Sequence, residues 1–331
     1  MSDAQAAAVQ ADGRRARLRR LTSLLGPFLG LVLVMALFAV LVPDRFLSAY
    51  NLKTILTQTV IVALGAIGMT YVIVGGGIDL SVGSVIALSS VVTAVLLRDG
   101  APPTVAIAGG LLSGAAAGLV NGLLITRLDV VPFIVTLGTM GIARGVAKWL
   151  AGEQKVDAPA AWLVDLMTKT PDPSWLIFSP GVWATILLAL FMGFVLRRTV
   201  LGTHTFAVGS NEDTARLCGV RVPRVKVLLY TLAGAFAGLA GVMQFSRLTV
   251  GDPTTAIGKE LDIIAAVVIG GGSLVGGQGS ILGSMIGAFL MATLANGCTL
   301  TGVPSYVREI LIGAIIVAAV ALDRLRRGRS A

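Results

Sequence analysis

The chain has 331 residues, 55% of them hydrophobic and 13% charged, with a mean hydropathy of +0.88 and a formal net charge of +9. A soluble domain of this length needs far more polar residues to cover its surface, so the composition excludes one and points to an integral membrane protein. The 41 glycines lie without period inside Leu, Ile, Val and Ala runs, which excludes collagen-like chains and fits close helix packing and interrupted helices.

A hydrocarbon core of about 30 Å takes about 20 apolar residues per helix. Runs bounded by charges, Pro or polar clusters fall at 22–42, 54–75, 80–97, 103–126, 131–150, 180–197, 227–247, 260–274, 280–299 and 305–322. They predict an all-α protein of about ten transmembrane helices. The first run is too long for a signal-peptide core, and "ALFAVLVPDRF" lacks a small-residue cleavage site. Residues 1–20 read as a basic tail, 21–323 as one transmembrane unit with loops at 151–179 and 198–226, and 324–331 as a second basic tail.

Basic residues orient the spans. With the N-terminus inside, cytoplasmic segments collect Arg14, Arg15, Arg17, Arg19 and Arg20, then Arg127, then Arg197, Arg198, Arg216, Arg221, Arg224 and Lys226, and finally Arg324, Arg326, Arg327 and Arg329. The opposite side receives Asp44, Asp99, Glu153, Asp157, Asp165, Asp172 and Asp252. This is the positive-inside bias expected of ten spans with both termini cytoplasmic in a cell membrane. The basic clusters are short and have no interleaved aromatics, so nucleic acid is not an expected partner. Cys218 and Cys298 fall on different sides and predict no disulfide, and the single His204 with scattered acids gives no metal-ligand spacing. In the external loop, Trp162, Trp175 and Phe178 suit either an interfacial belt or a docking surface.

Two glycine-rich breaks interrupt the apolar runs. "VIVGGGIDLSVGSVIALSS" (72–90) carries Gly75, Gly76, Gly77, Asp79, Ser81 and Gly83, and "VIGGGSLVGGQGSILGSMIGAFL" (268–290) repeats the pattern with Gly270, Gly271, Gly272, Gly276, Gly277 and Gly279. Gly83-Ser84 aligns with Gly279-Ser280 across one extra residue. Unwound backbone in a transporter lines a cavity, and a helix N-terminus offers free N–H groups to a polar ligand. Asp79 and Ser81 are also residue types that cap a helix. Two readings of Asp79 therefore stand, a cap on the third helix at the cytoplasmic interface or a direct substrate ligand.

The segment "RTVLGTHTFAVGSNEDTARLCGVRVPRVK" (198–226) predicts a short exposed helix. Ser210 or Asn211 caps it, Glu212 and Asp213 enter its first turn, and Gly219 ends it. Alone it is marginal, so it is either a solvated connector or a knob docked on a cytoplasmic partner. Of the remaining intramembrane polar groups, Arg144, Lys148, Arg247 and Arg308 are expected to snorkel outward. Gln58, Asn121, Gln244 and Asn296 are candidates for a neutral polyol path, with helix-to-helix hydrogen bonding as the competing reading.

No HExxH, no GxSxG and no paired intramembrane His or Cys marks a membrane enzyme. An ion-coupled secondary transporter needs buried acids, for which only Asp79 and Asp262 qualify. The third class is the membrane subunit of a multi-protein pump. Because no GxxxxGK[ST] is present, any ATP hydrolysis belongs to another chain.

"GMTYVIVGGGIDLSVGSVIALSS" (68–90), "PFIVTLGTMGIARG" (132–145), "RTVLGTHTFAVGSNEDTARLCGV" (198–220) and "KELDIIAAVVIGGGSLVGGQGSILGSMIGAFL" (259–290) resemble the ribose-type permeases of bacterial ABC sugar importers. The resemblance runs in order from about residue 50 to 322. It implies a ten-span permease fold in the inner membrane that pairs with itself or a sister permease. It also implies an ABC ATPase subunit below, which holds ATP and Mg, and a periplasmic sugar-binding protein above. In that family a cytoplasmic helix fits a cleft of the ATPase, and the resemblance puts Gly209, Asn211, Glu212, Ala215, Arg216 and Gly219 in this coupling element, with Thr214 where Ala is common. No cofactor is expected on this chain itself.

Overall fold

A computed structural model describes residues 26–169, 171 and 176–328. Most of it is helix. In chain order these are α1 (Gly26–Leu41), α2 (Pro43–Phe46), α3 (Ala49–Val74), α4 (Val82–Arg98), α5 (Pro103–Arg127), α6 (Pro132–Ala151), α7 (Pro180–Arg198), α8 (Val200–Ser210), α9 (Glu212–Leu217), α10 (Val222–Leu248), α11 (Lys259–Ile269), α12 (Ile281–Leu300) and α13 (Ser305–Gly328). Each of the ten apolar runs holds a helix. Five helices, α3, α5, α7, α10 and α12, are long and apolar enough to cross a membrane unaided; α1 and α4 are apolar but shorter.

Local signals set the ends. Pro stands in the first turn of α5, α6, α7 and α10, where its missing N–H costs nothing. Ser48 caps α3 through the Asn51 amide, and Gly152, at φ 61°, closes α6.

Several boundaries differ from the sequence reading. The connector after α7 is mostly helical: α8 occupies 200–210, and α10 begins at Val222, ahead of the predicted 227. The threonines that make α8 look like a loop are absorbed into it, Thr205 Oγ1 donating to the Leu201 carbonyl at 2.7 Å. α13 continues to Gly328, so residues 324–328 extend a helix where a tail was expected, while residues 1–20 lie outside the described region. The 151–179 segment holds β1 (Val156–Asp157) and a 3-10 helix (Ala161–Met167). β1 pairs antiparallel with β2 (Val250–Gly251). Trp162 is about half exposed and Phe178 packs against Trp183, ring centroids 6.0 Å apart; Trp175 lies outside the described residues.

The largest correction concerns α11. Its 11 residues reach about 16 Å, half a hydrocarbon core. The chain that leads into it, 252–258, is non-helical. A Cβ on Gly251 would stand 2.5 Å from Ala94 Cβ, whereas one on Gly83 would stand 2.8 Å from the Ala256 carbonyl. Five residues of chain thus run back along about 16 Å of α4 before α11 starts. Backbone of this kind is stable at depth only when protein groups take up its polar atoms.

In lipid, packing relies on contact rather than on expulsion of water, so close backbone approach matters more than side-chain bulk. α5 places Gly110, Gly114, Gly118 and Gly122 four residues apart against α10, where a Cβ on Gly114 would stand 2.6 Å from Gly238 Cα. α3 is buried almost all round and is tied to its neighbours by hydroxyls. Tyr71 donates to the Met192 carbonyl of α7, and Thr70 pairs with Ser284 of α12, both at 2.7 Å.

Candidate coupling site

α3 and α11 end in the same way. Beyond Gly75, the amides of Gly76 and Gly77 return to the Ile73 and Val72 carbonyls at 3.0 and 2.9 Å, with Gly76 at φ 83°. Beyond Gly270, the amides of Gly271 and Gly272 return to Val268 and Val267 at 2.9 and 2.8 Å, with Gly271 at φ 89°. The left-handed residue satisfies the last helical carbonyls, and only Gly adopts it without a Cβ penalty. The likeness then stops. Ser280 caps α12 through the Gly283 amide at 3.0 Å, whereas Gly83 and Ser84 sit inside the first turn of α4 rather than before it.

The two breaks touch, and the end of α8 lies against both. The Gly277 amide donates to the Val74 carbonyl at 2.9 Å. A Cβ on Gly276 would stand 2.9 Å from Gly76 Cα and 2.5 Å from the Gly209 carbonyl. One on Gly209 would overlap the Val74 carbonyl and stand 2.7 Å from the Gly277 amide nitrogen. A Cβ on Gly279 would stand 2.6 Å from Val74 Cγ2. Three segments therefore meet backbone to backbone, and a displacement of α8 acts directly on the end of α3 and on Gly276 and Gly277 in the break that follows α11.

α9 follows α8 without a spacer. Asn211 caps it, Oδ1 accepting the Thr214 amide at 2.8 Å. Gly219, at φ 85°, closes it while the Val220 amide returns to the Ala215 carbonyl at 3.0 Å. Glu212 accepts from Lys226 Nζ at 2.6 Å and from Arg216 at 3.2 Å, tying α9 to the start of α10. Ala215 is buried, so it seats the helix and is not offered to a docked partner. The outward face is Asp213, Thr214, Arg216 and Leu217, the last 89% exposed. The sequence reading passed over Leu217, although an exposed leucine beside a charged turn is a docking signal.

Asp79 lies in the turn between α3 and α4 and is buried. Its Oδ1 accepts the Ser81 amide at 2.8 Å and the Ser81 hydroxyl at 2.6 Å. Ser81, which occupies the N-cap position of α4, makes no cap bond itself. Asp79 thus acts on the α4 entrance from two residues upstream. Asn121 of α5 donates to Ser81 Oγ at 3.0 Å, joining this turn to α5. The turn is an interior one rather than a surface one, because α10 starts at Val222, a full two turns before Tyr230, whose hydroxyl reaches the Ile78 carbonyl at 3.4 Å.

Residues 51–320 match the family described as branched-chain amino acid transport system / permease component. The chain belongs to this permease family. It is a multi-pass membrane protein. It is similar to the ribose import permease protein RbsC of Bacillus subtilis (strain 168), 40% identical over 96% of this chain and 97% of that protein. It is also similar to the L-arabinose ABC transporter permease protein AraH of Azospirillum brasilense, 38% identical over 91% of this chain and 88% of that one. The D-allose transport system permease protein AlsC of Escherichia coli (strain K12) is 36% identical over 91% of both. No solved structure matches.

The permease does not gather its four intramembrane amides into one path. Asn121 is at the Asp79 turn. Asn296 donates to Asn51 Oδ1 at 2.9 Å, and Asn51 to the Phe46 carbonyl at 3.0 Å, close to the opposite end. Gln244 donates to Thr255 Oγ1 at 2.6 Å, holding the re-entrant segment. Gln58 is half-buried on α3 and makes no hydrogen bond among the described residues. Asn121 and Asn296 thus join helices, and Gln244 joins a helix to the re-entrant segment. Asp262 is likewise engaged, accepting from Lys259 at 2.6 Å within the first turn of α11. The two cysteines are free, Cys218 exposed and Cys298 buried.

Arg144 does not snorkel. Its guanidinium donates to the Pro253 and Thr255 carbonyls at 2.7 and 2.8 Å and so satisfies the re-entrant backbone. Arg144→Met should destabilise the purified permease by about 1–3 kcal/mol. It should also raise amide exchange at 254–258; unchanged exchange there would show that Arg144 bears nothing.

Proposed function

We propose that this chain is the membrane-spanning permease subunit of an ATP-binding-cassette importer that carries a monosaccharide or related polyol across a bacterial inner membrane. Whole-length identity of 36–40% to permeases named for ribose, L-arabinose and D-allose carries this reading, and it favours a sugar over the branched-chain amino acids of the family description. Ten spans place α9 and both breaks on the cytoplasmic side, with the N- and C-termini there as well. The basic residues of 197–226 favour that orientation. α11 and the segment before it together make the eighth span.

In this reading the permease pairs with a second copy or a sister permease, a sugar-binding protein delivers substrate from outside, and ATP and Mg act on the ATPase. ATP binding draws the ATPase together, α9 and α8 move, and Gly209 transmits the movement to the end of α3 and to the break between α11 and α12. The coupling is the difference in ATP affinity between the two states of the complex. Specificity rests mainly with the binding protein, consistent with a permease in which Asn121, Gln244 and Asn296 each donate to another side chain of the same protein.

The test is reconstitution with the ATPase and binding protein, reading sugar-dependent ATP hydrolysis and uptake together. Glu212→Ala with Arg216→Ala frees α9 from α10 and should abolish uptake while ATP hydrolysis persists; unchanged uptake would sink the coupling role. Ion-driven uptake by this chain alone would instead establish a stand-alone secondary transporter.

A further inference from the structure

Glu260, in the first turn of α11, is an acid that the fold leaves without a hydrogen bond. Its Oε2 lies against the start of α4, where a Cβ on Gly83 would overlap it and would stand 2.8 Å from the Ala256 carbonyl. Glu260 makes no hydrogen bond and no ion pair among the described residues, and the segments beside it, α4, α6 and 252–258, are described throughout. Neither carboxylate oxygen is buried.

Two helices fix the depth at which this carboxylate stands. From Gly83, α4 continues to Arg98, about 22 Å away. In the other direction α10 extends from Tyr230 back to Val222, about 12 Å, and the Tyr230 hydroxyl meets the Ile78 carbonyl just before α4 begins. Together these lengths span a hydrocarbon core of about 30 Å, so Glu260 lies well inside it from either end. A carboxylate at such depth faces a protein interior or a water-filled cavity, not acyl chains. Because its oxygens are open on this chain, the face that carries Glu260 fronts water in the assembled transporter.

Its neighbours balance the charge and leave the oxygens unoccupied. Arg144 stands within electrostatic reach of Glu260, yet its Nη1 donates to the Pro253 and Thr255 carbonyls. Lys259 is likewise committed, to Asp262. An ion is not required to neutralise the site, and a neutral solute with several hydroxyls is the ligand that a free acceptor of this kind suits. Ile257, 70% exposed, and Leu261 flank the carboxylate with apolar surface, so the polar contact is single and the grip weak, as passage requires. We propose that the face of 257–261 lines the translocation path and that Glu260 accepts hydroxyl groups of the monosaccharide in transit. This rests on the importer reading given above and names the residue in it that touches the sugar.

The experiment has two arms, both on the transporter assembled with its ATPase and binding protein in vesicles. In a Cys218→Ser background, Ile257→Cys is treated with a charged methanethiosulfonate, with and without ATP, and compared with Leu187→Cys on the exposed face of α7. Ile257→Cys should react roughly tenfold faster or more, because the reactive thiolate is disfavoured in apolar surroundings, and the label should block uptake. In the second arm D-ribose, L-arabinose and D-allose are tried as solutes. Glu260→Gln should lower the maximal uptake rate by roughly tenfold, the worth of one hydrogen bond to a charged group. The half-saturating concentration, set by the binding protein, should not change, and Glu260→Asp should recover part of the rate. Reaction of Ile257→Cys no faster than Leu187→Cys would overturn the path, and an unchanged maximal rate in Glu260→Gln would overturn the contact with sugar. Loss of the assembled complex in Glu260→Gln, read by native mass spectrometry, would assign the acid to a subunit contact instead. A wild type that carries none of the three sugars counts against the proposed function, whereas the thiol arm reads the path for any solute.

Discussion

Gly209→Ala should leave the permease folded and inserted but break the link between ATP hydrolysis and uptake. The new methyl would overlap the Val74 carbonyl and press within 2.7 Å of the Gly277 amide nitrogen, so the break ends must move apart and lose the Gly277-to-Val74 hydrogen bond. Overpacking of this kind costs about 1–3 kcal/mol, and an equal bias on the switching equilibrium lowers uptake by roughly tenfold or more. Gly193→Ala on α7 is the control, since its methyl would meet only Ile281 Cβ at 3.7 Å. The measurement is uptake and sugar-stimulated ATP hydrolysis on the same reconstituted complex. Normal uptake by Gly209→Ala would show that the glycine junction transmits nothing.

Asp79 separates a structural from a transport role. Asp79→Asn keeps an oxygen that accepts the Ser81 amide and hydroxyl, so assembly and uptake should stay near wild type. Asp79→Ala removes that acceptor from a buried turn and leaves both donors stranded, at about 1–3 kcal/mol, and should lower the yield of assembled permease. The comparison is detergent-extracted yield and thermal unfolding alongside uptake. Normal assembly with lost uptake in Asp79→Asn would assign a role in transport to the charge itself.

Much of the fold was legible because its signals are local. Runs of apolar residues marked the ten main helices, and single residues marked helix ends: Asn211 accepts the Thr214 amide, and Gly76, Gly219 and Gly271 take positive φ. The similarity of the breaks at 75–77 and 270–272 was legible for the same reason, since each closes a helix with bonds inside its own segment. Hydropathy did not reveal α8, whose Thr, Gly and Ser residues read as a connector until their hydroxyls return to the helix backbone. It also overestimated α11, because Gly270 and its neighbours stay apolar after the helix has ended.

Pairings between distant segments were not legible. Arg144 and Asn296 look like an end-of-span cation and a path residue until Pro253, Thr255 and Asn51 are placed beside them. By itself the sequence determined a helical membrane protein, its family and the residues that break and cap its helices, because hydropathy and backbone conformation depend on neighbours along the chain. Only the tertiary structure decided that Gly76, Gly209 and Gly276 meet at one point, that Ala215 faces inward and that the re-entrant segment hangs on Arg144. Each of these depends on contact between backbones far apart in the chain, and glycine's lack of a side chain, which permits such contact, leaves no mark to say which glycines will meet.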